Sequence, residues 1–180
     1  MSLTHVMLGL GSNVQRIERL HAGLDALAEL LQDMRCSPVF ESLAVGYRGD
    51  NFYNLVVAGY TDLPLTELDR RLKFIEADNG RYAPDRKGLP LDIDVLLYGE
   101  LVGNFHGLLL PRAEILKNAF VLWPLALLAP TVKHPAAGEA FADLWAQSSI
   151  DQQLWPVPFQ WRGSELTPAD LIRNHPPQRA

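Results

Sequence analysis

The order of hydrophobic patterns along this chain predicts an α+β fold. The class is a ferredoxin-like α/β sandwich with a mainly antiparallel sheet, a βαββαβ core and extra helices. Three observations carry that expectation. Leu91-Asp92-Ile93-Asp94-Val95-Leu96-Leu97-Tyr98 alternates with the period of a strand, with Leu91, Ile93, Val95 and Leu97 on one face and both aspartates on the other. Two leucine-rich stretches repeat at the spacing of a helix face. These stretches interleave with β-type segments in the order strand, helix, strand, strand, helix, strand.

Each element has its own signature. His5 to Leu10 is apolar and reads as a strand that ends in a tight turn at Gly9-Leu10-Gly11-Ser12-Asn13. The glycines there allow a ligand to approach the backbone, or serve a plain turn. Ile17, Leu20, Leu24, Leu27 and Leu31 form one helical stripe whose job is core packing. A strand over Met34–Leu43 follows, with Pro38 marking an edge or bulge. Residues Ala44–Asn51 are a glycine-containing loop, and Phe52–Tyr60 is the third strand. Leu65, Leu68, Leu72 and Ile75 mark the second helix, closed by Asn79-Gly80. Arg81 to Pro90 is a loop, followed by the strand with two aspartates, a short apolar segment at Leu108–Pro111 and a helix over Ala119–Leu128.

Length and composition bound the function. The 180 residues fit one domain, and 48% hydrophobic residues suffice for a core. A net charge of −5 without a long basic run argues against nucleic-acid binding. The single cysteine, Cys36, excludes an internal disulfide and suits a reducing compartment. The N-terminus lacks a signal-peptide pattern, and the longest apolar run, Ala119–Pro130, is interrupted by proline. The five histidines show no zinc-ligand spacing.

The chemistry concentrates on Asp92 and Asp94. Two residues apart in a strand places their Cα atoms about 6.5–7 Å apart, with both carboxylates on one face. Like charges flanked by aliphatic residues repel and resist desolvation, and a cation removes both problems. Hard divalent ions such as Mg2+ bind through one or two carboxylates plus substrate phosphates. The pair therefore reads as a Mg–phosphate platform, the alternative being a solvated strand face. Glu76, near the end of the second helix, is a functional ligand or a boundary glutamate. Arg81, Arg86 and Lys87 form a phosphate clamp or a solvated loop.

Several motifs then fall in a telling order: Gly9-Leu10-Gly11-Ser12-Asn13, Asp50-Asn51-Phe52-Tyr53-Asn54, Ile75-Glu76, Gly80-Arg81, Leu91 to Gly99, Pro111, and Phe120-Val121-Leu122-Trp123-Pro124-Leu125. Over about residues 5–140 the chain resembles the 6-hydroxymethyl-7,8-dihydropterin pyrophosphokinase family of folate biosynthesis. The resemblance implies a ferredoxin-like fold and transfer of a pyrophosphoryl group from ATP to the pterin hydroxymethyl, with release of AMP. It implies two Mg2+ ions held by Asp92 and Asp94, which bridge the triphosphate for in-line attack. Asp92, Asp94, Arg81 and Arg86 are the expected catalytic residues. Ser42, Val45, Phe52, Asn54 and Phe120 are expected to bind the pterin, Asn54 through its amide and Phe120 by stacking. Glu76, Lys87, Arg112 and Lys117 are expected near the nucleotide. Residues 1–145 form the pyrophosphokinase-like domain, and residues 146–180 are a C-terminal extension without a domain of its own.

The chain departs from the family pattern mainly in its nucleotide half. Where the family has Arg-Trp-Gly-Pro-Arg before the aspartate strand, this chain has Arg86-Lys87-Gly88-Leu89-Pro90. Gly107 and Leu109 stand where an arginine and a threonine are common, Arg112-Ala113 replaces a His-Tyr pair, and Asn118 replaces an arginine. Arg81, Arg86, Lys87, Arg112 and Lys117 are the charges left to compensate. Three readings follow: a Mg-dependent pterin pyrophosphokinase, a pterin-binding paralogue with weak, altered or no kinase activity, and a different phosphotransferase on the same scaffold. For the first two the expected setting is the cytoplasm, as a monomer taking ATP and a small pterin, with no nucleic acid and no membrane.

Overall fold

The computed structural model describes residues 2–43 and 50–177. The strands β1 (Thr4–Ser12), β2 (Gln32–Cys36), β3 (Val39–Ser42), β4 (Phe52–Thr61), β5 (Asp92–Tyr98), β6 (Gly103–Phe105), β7 (Leu108–Leu110) and β8 (Leu154–Val157) are joined by α1 (Arg16–Leu30), α2 (Leu65–Asp78), α3 (Ala119–Leu128), α4 (Phe141–Gln147) and α5 (Ala169–Asn174). The main sheet runs β5-β1-β4-β3-β8, with β2 also paired to β4, and every pairing is antiparallel. The elements β1, α1, β2–β3, β4, α2 and β5 give the expected sandwich, with β1 and β4 at its centre.

The predicted alternation sorts the sheet into two packed faces. Val6, Leu8, Leu10, Leu55, Val57, Ile93 and Val95 point to one side, where Leu20, Leu24 and Leu27 of α1 and Leu68 and Leu72 of α2 cover them. Met7, Val56, Ala58, Leu96 and Leu97 point to the other, under Val121, Leu122 and Leu125 of α3 and Phe141 of α4. Burying one such leucine contributes about 1.5–3 kcal/mol. The helix over Ala119–Leu128 is apolar on all sides, as a helix pressed between a sheet and a further helix must be.

Ile17, expected in the core stripe of α1, is 52% exposed, and four expectations about strands need correction. Leu97 does not share a face with Ile93 and Val95. Register in the β1–β5 pair shifts between Met7 and Leu8, so Leu8 faces Val95 while Met7 faces Leu97. The extra residue, Leu96, is a bulge that turns the rest of β5 over. The strand expected over Met34–Leu43 is two strands. Pro38 has no N–H to give the ladder, and the Ser37 hydroxyl accepts the Val56 N–H at 2.8 Å where strand backbone would have done so. Third, β1 continues through Ser12, so Gly9 and Gly11 lie inside a central strand and not in a turn. Fourth, Leu108–Leu110 is one arm of a hairpin with β6.

The tail is woven into the main unit. Leu154–Val157 pairs with β3, Phe159 joins the core under α1, and the Thr167 hydroxyl accepts the Val39 N–H at 3.0 Å. Among the described residues no helix is long and apolar enough to cross a membrane.

Candidate functional site

A cleft of about 760 Å3 opens on the α3 side of the sheet. Its floor is set by register. Gly9 lies opposite Asp94, and Gly11 lies opposite both Asp92 on β5 and Asn54 on β4. With no side chains on those two central positions, the flanking Asp and Asn side chains have room to lean over the strand. A Cβ at Gly11 would sit 2.8 Å from Asn54 Oδ1, closer than any real contact.

The walls come from β3, β4, α3 and two loops. Asn54 is buried, and its amide nitrogen donates to the Ser42 hydroxyl at 3.0 Å. That bond fixes the amide and leaves Oδ1 facing the Gly11 side of the cleft. Phe52 of β4 and Phe120 of α3 line the same space. Arg112, after the β7 turn, reaches back to Asp94 at 3.5 Å and also holds Glu114 at 3.1 Å.

The two carboxylates are unlike in their surroundings. Asp92 takes a 2.9 Å bond from Arg81, whose guanidinium also stands 3.7 Å from Glu76. Asp94 faces Arg112 instead. Burial pushes its carboxyl up to about 8; the neighbouring Asp92 adds to the shift and Arg112 opposes it. Glu76 lies beneath the strand, 6% exposed, and accepts the Ile93 N–H at 2.9 Å. Burial raises its carboxyl above the ordinary range, the Ile93 bond works against that, and the Asp92 charge adds to it.

These features fit a hard divalent cation. Two carboxylates share one strand face, both are partly open to the cleft (28% and 30%), and crowding of like charge raises the proton affinity of one of them. Among the described residues no group of three or more His, Cys, Asp or Glu could hold a metal. A two-carboxylate site completed by water and phosphate oxygens is what Mg2+ prefers.

Of the sequence-predicted residues, Ser42, Phe52, Asn54, Asp92, Asp94, Arg112 and Phe120 line this one cleft. Glu76 and Arg81 sit one layer away, attached to the base of β5. Arg86, Lys87 and Lys117 are exposed and are not among the lining residues. Arg86 donates to the Gly88 carbonyl of its own loop at 2.6 Å. Val45 lies outside the described residues, as does most of the Ala44–Asn51 loop. Sequence reading left Gly11 between a ligand approach to the backbone and a plain turn, and gave no role to Asp151, Gln152 and Gln153, which enter the cleft from the tail. Their segment has no periodicity of its own, and only the pairing of the following β8 brings it there.

Comparison with known proteins agrees with this geometry. Residues 7–130 match the family model for 7,8-dihydro-6-hydroxymethylpterin-pyrophosphokinase (HPPK). A 2-amino-4-hydroxy-6-hydroxymethyldihydropteridine pyrophosphokinase of Aquifex aeolicus is 37% identical over 133 residues, covering 72% of this chain and 83% of the relative. The protein of that name from Pseudomonas aeruginosa is 36% identical over 138 residues, covering 74% and 85%. A Plasmodium falciparum HPPK-DHPS crystal structure superposes with a TM-score of 0.65 at 14% identity, over 81% of this chain and 45% of that longer one. This likeness concerns the fold alone. With the family model spanning more than half of the sequence, the chain belongs to the 7,8-dihydro-6-hydroxymethylpterin-pyrophosphokinase family.

Proposed function

We propose that this cleft carries out the family's reaction as a Mg-dependent enzyme, with each half of the cleft taking one substrate. The reaction is pyrophosphoryl transfer from ATP to the hydroxymethyl group of a 6-hydroxymethyl-dihydropterin in folate biosynthesis. The observation that carries the site assignment is the convergence of Asn54, Phe120, Asp92 and Asp94 on one cleft floored by Gly9 and Gly11. Asn54, held by Ser42, offers a fixed acceptor to the edge of a flat heterocycle, and Phe120 and Phe52 offer faces for it to lie against. Asp92 and Asp94 would hold two Mg2+ ions. Such ions, when bound, neutralise triphosphate charge and orient the attacking and leaving oxygens.

The chain's own cations have matching work. Arg112 stands beside Asp94, where a phosphate oxygen would enter, and its planar guanidinium suits a bidentate contact. Arg81 balances Asp92 and the buried Glu76, keeping that corner of β5 from accumulating charge. Arg86, Lys87 and Lys117 lie outside the cleft lining and act as a diffuse positive border for the nucleotide. The chain is read as a cytoplasmic monomer, with residues 146–180 an extension of the one domain.

The test is direct. Purified protein with MgATP and 6-hydroxymethyl-7,8-dihydropterin is expected to release AMP, not ADP, with a rate that rises with Mg2+ and vanishes in chelator. Pterin binding without AMP release under any nucleotide would replace the kinase reading with that of a pterin-binding paralogue. The arginine partners already on Asp92 and Asp94 are the observation that favours that second reading.

A further inference from the structure

We infer that Gln152, in the tail beyond the matched family segment, is a positioning residue that sets Phe120 against Asn54 by capping α3. The inference rests on the reading of Asn54 and Phe120 as the pterin site. Asn118, at the N-cap of α3, makes no side-chain cap bond of its own. A helix start leaves N–H groups without intrahelical partners, and a short polar side chain at the N-cap normally takes one. Here the task passes to a residue 33 positions away: Gln152 Oε1 accepts the Ala119 N–H at 2.7 Å. The same amide's Nε2 donates to Asn118 Oδ1 at 3.2 Å, which turns the Asn118 side chain away from its own helix. Phe120 is the next residue along.

The anchor for Gln152 is the wall that holds Asn54. Immediately after it, the Gln153 carbonyl accepts the Leu43 N–H at 3.5 Å, and Leu154 pairs with Ser42, the residue that fixes the Asn54 amide. Trp155 then donates its indole N–H to Glu41 at 3.3 Å. Residues 152–155 thus tie the β3 wall to the start of α3, and the distance between the two sides of a bound ring depends on that tie. The matched family segment ends at residue 130, so the tie comes from outside it.

The experiment compares Gln152→Ala and Gln152→Glu with the wild type by titrating the pterin and MgATP separately. The Gln152 side chain lies at the surface, so both variants are expected to fold. Loss of a helix cap is expected to weaken pterin binding by about 3- to 10-fold in Gln152→Ala while MgATP affinity stays the same. Gln152→Glu keeps an acceptor for the Ala119 N–H, and a carboxylate is favoured at a helix N-terminus, so pterin affinity should return to within about twofold of wild type. Hydrogen exchange gives a ligand-free readout, with the Ala119 amide exchanging faster in Gln152→Ala and at the wild-type rate in Gln152→Glu. Unchanged pterin affinity in Gln152→Ala overturns the inference, as does equal weakening of both ligands or a Gln152→Glu variant no better than alanine. A wild type that binds no pterin, with the exchange result as expected, overturns the functional reading and leaves Gln152 only a structural cap.

Discussion

The two halves of the cleft are built in different ways. On the side proposed for the pterin, Ser42, Phe52 and Asn54 stand on paired strands and Phe120 on a buried helix, so each has its direction set by the sheet register or by core packing. On the side proposed for the nucleotide, Arg112 follows a hairpin and Arg81, Arg86 and Lys87 stand in the loop between α2 and β5. Arg81 and Arg112 are engaged with Asp92 and Asp94, while Arg86 and Lys87 face solvent. The first half has its side chains held by strand pairing, a hydrogen bond and core packing. The second holds its charge in ion pairs that a metal–triphosphate would have to rearrange. Half-exposed pairs of this kind are worth little individually, so exchanging them costs little.

The largest effect tests where the halves meet. Asp92→Ala or Asp94→Ala should lower turnover by about 10³-fold or more, since each removes a charge on which metal and phosphate would converge. Pterin affinity without nucleotide should stay near wild type. A variant that keeps near-normal rates at saturating Mg2+ would remove the metal platform. The same site gives a pH signature. The Asp94 carboxyl is raised from an unfolded value of 3.8 to about 8. Folding therefore carries no ionisation penalty below about pH 4, a growing one above it, and the full one above about pH 8. Stability of the metal-free protein should fall as pH rises through that window. Asp94→Asn should relieve the loss, on the order of 1 kcal/mol at pH 8 once solvent screening is allowed for, and do nothing at pH 4. Thermal melts in chelator at the two pH values would read this directly.

Next in size are the variants that should separate the two substrates. Asn54→Ala should weaken pterin binding by about 1–3 kcal/mol, the cost of leaving buried partners unpaired, with MgATP affinity changed much less. Gly11→Ala should act in the same direction without removing a polar group, because its Cβ would force the Asn54 amide aside. Arg112→Ala should do the reverse, raising the KM for ATP about fivefold or more while leaving pterin binding intact. Titration calorimetry with each ligand alone decides between the halves, and equal losses for both ligands would show that the division is wrong.

Motif order, through the family resemblance, singled out Ser42, Asn54 and Phe120, whereas period-two and period-3.6 patterns fix which way a residue faces. The Asp92/Asp94 face, Leu20, Leu24 and Leu27 of α1 and Leu68 and Leu72 of α2 could be read this way, whereas the helix over Ala119–Leu128 is apolar on all sides and shows no such period. The misreadings share a cause: each depends on a partner strand that one sequence does not reveal. The β5 bulge exists only relative to β1, the break at Pro38 only relative to Val56, and the length of β1 only because β4 and β5 flank it. Gln152 was invisible for the same reason, since its place comes from β8 adding to β3. Glycine gave too little: Gly11 announces freedom, and only the register shows that the freedom is space for Asn54.

The smallest effect concerns Arg86 and Lys87. Both are exposed, and Arg86 already donates to the Gly88 carbonyl of its own loop. If they act only as a positive border, neutralising both should raise the KM for ATP by roughly twofold and leave pterin affinity unchanged. Such an effect works through solvent over several ångströms. The screening length is about 8 Å at physiological ionic strength and about 3 Å at 1 M, so the difference between wild type and Arg86→Gln/Lys87→Gln should close in high salt. A direct bidentate contact would behave otherwise: the loss would be larger and would persist in salt, because a close pair is screened much less. ATP kinetics at low and high salt therefore show whether this loop closes on the triphosphate or only borders it. Persistence in salt would make the nucleotide half a site assembled by its ligand, in contrast to the preformed pterin half.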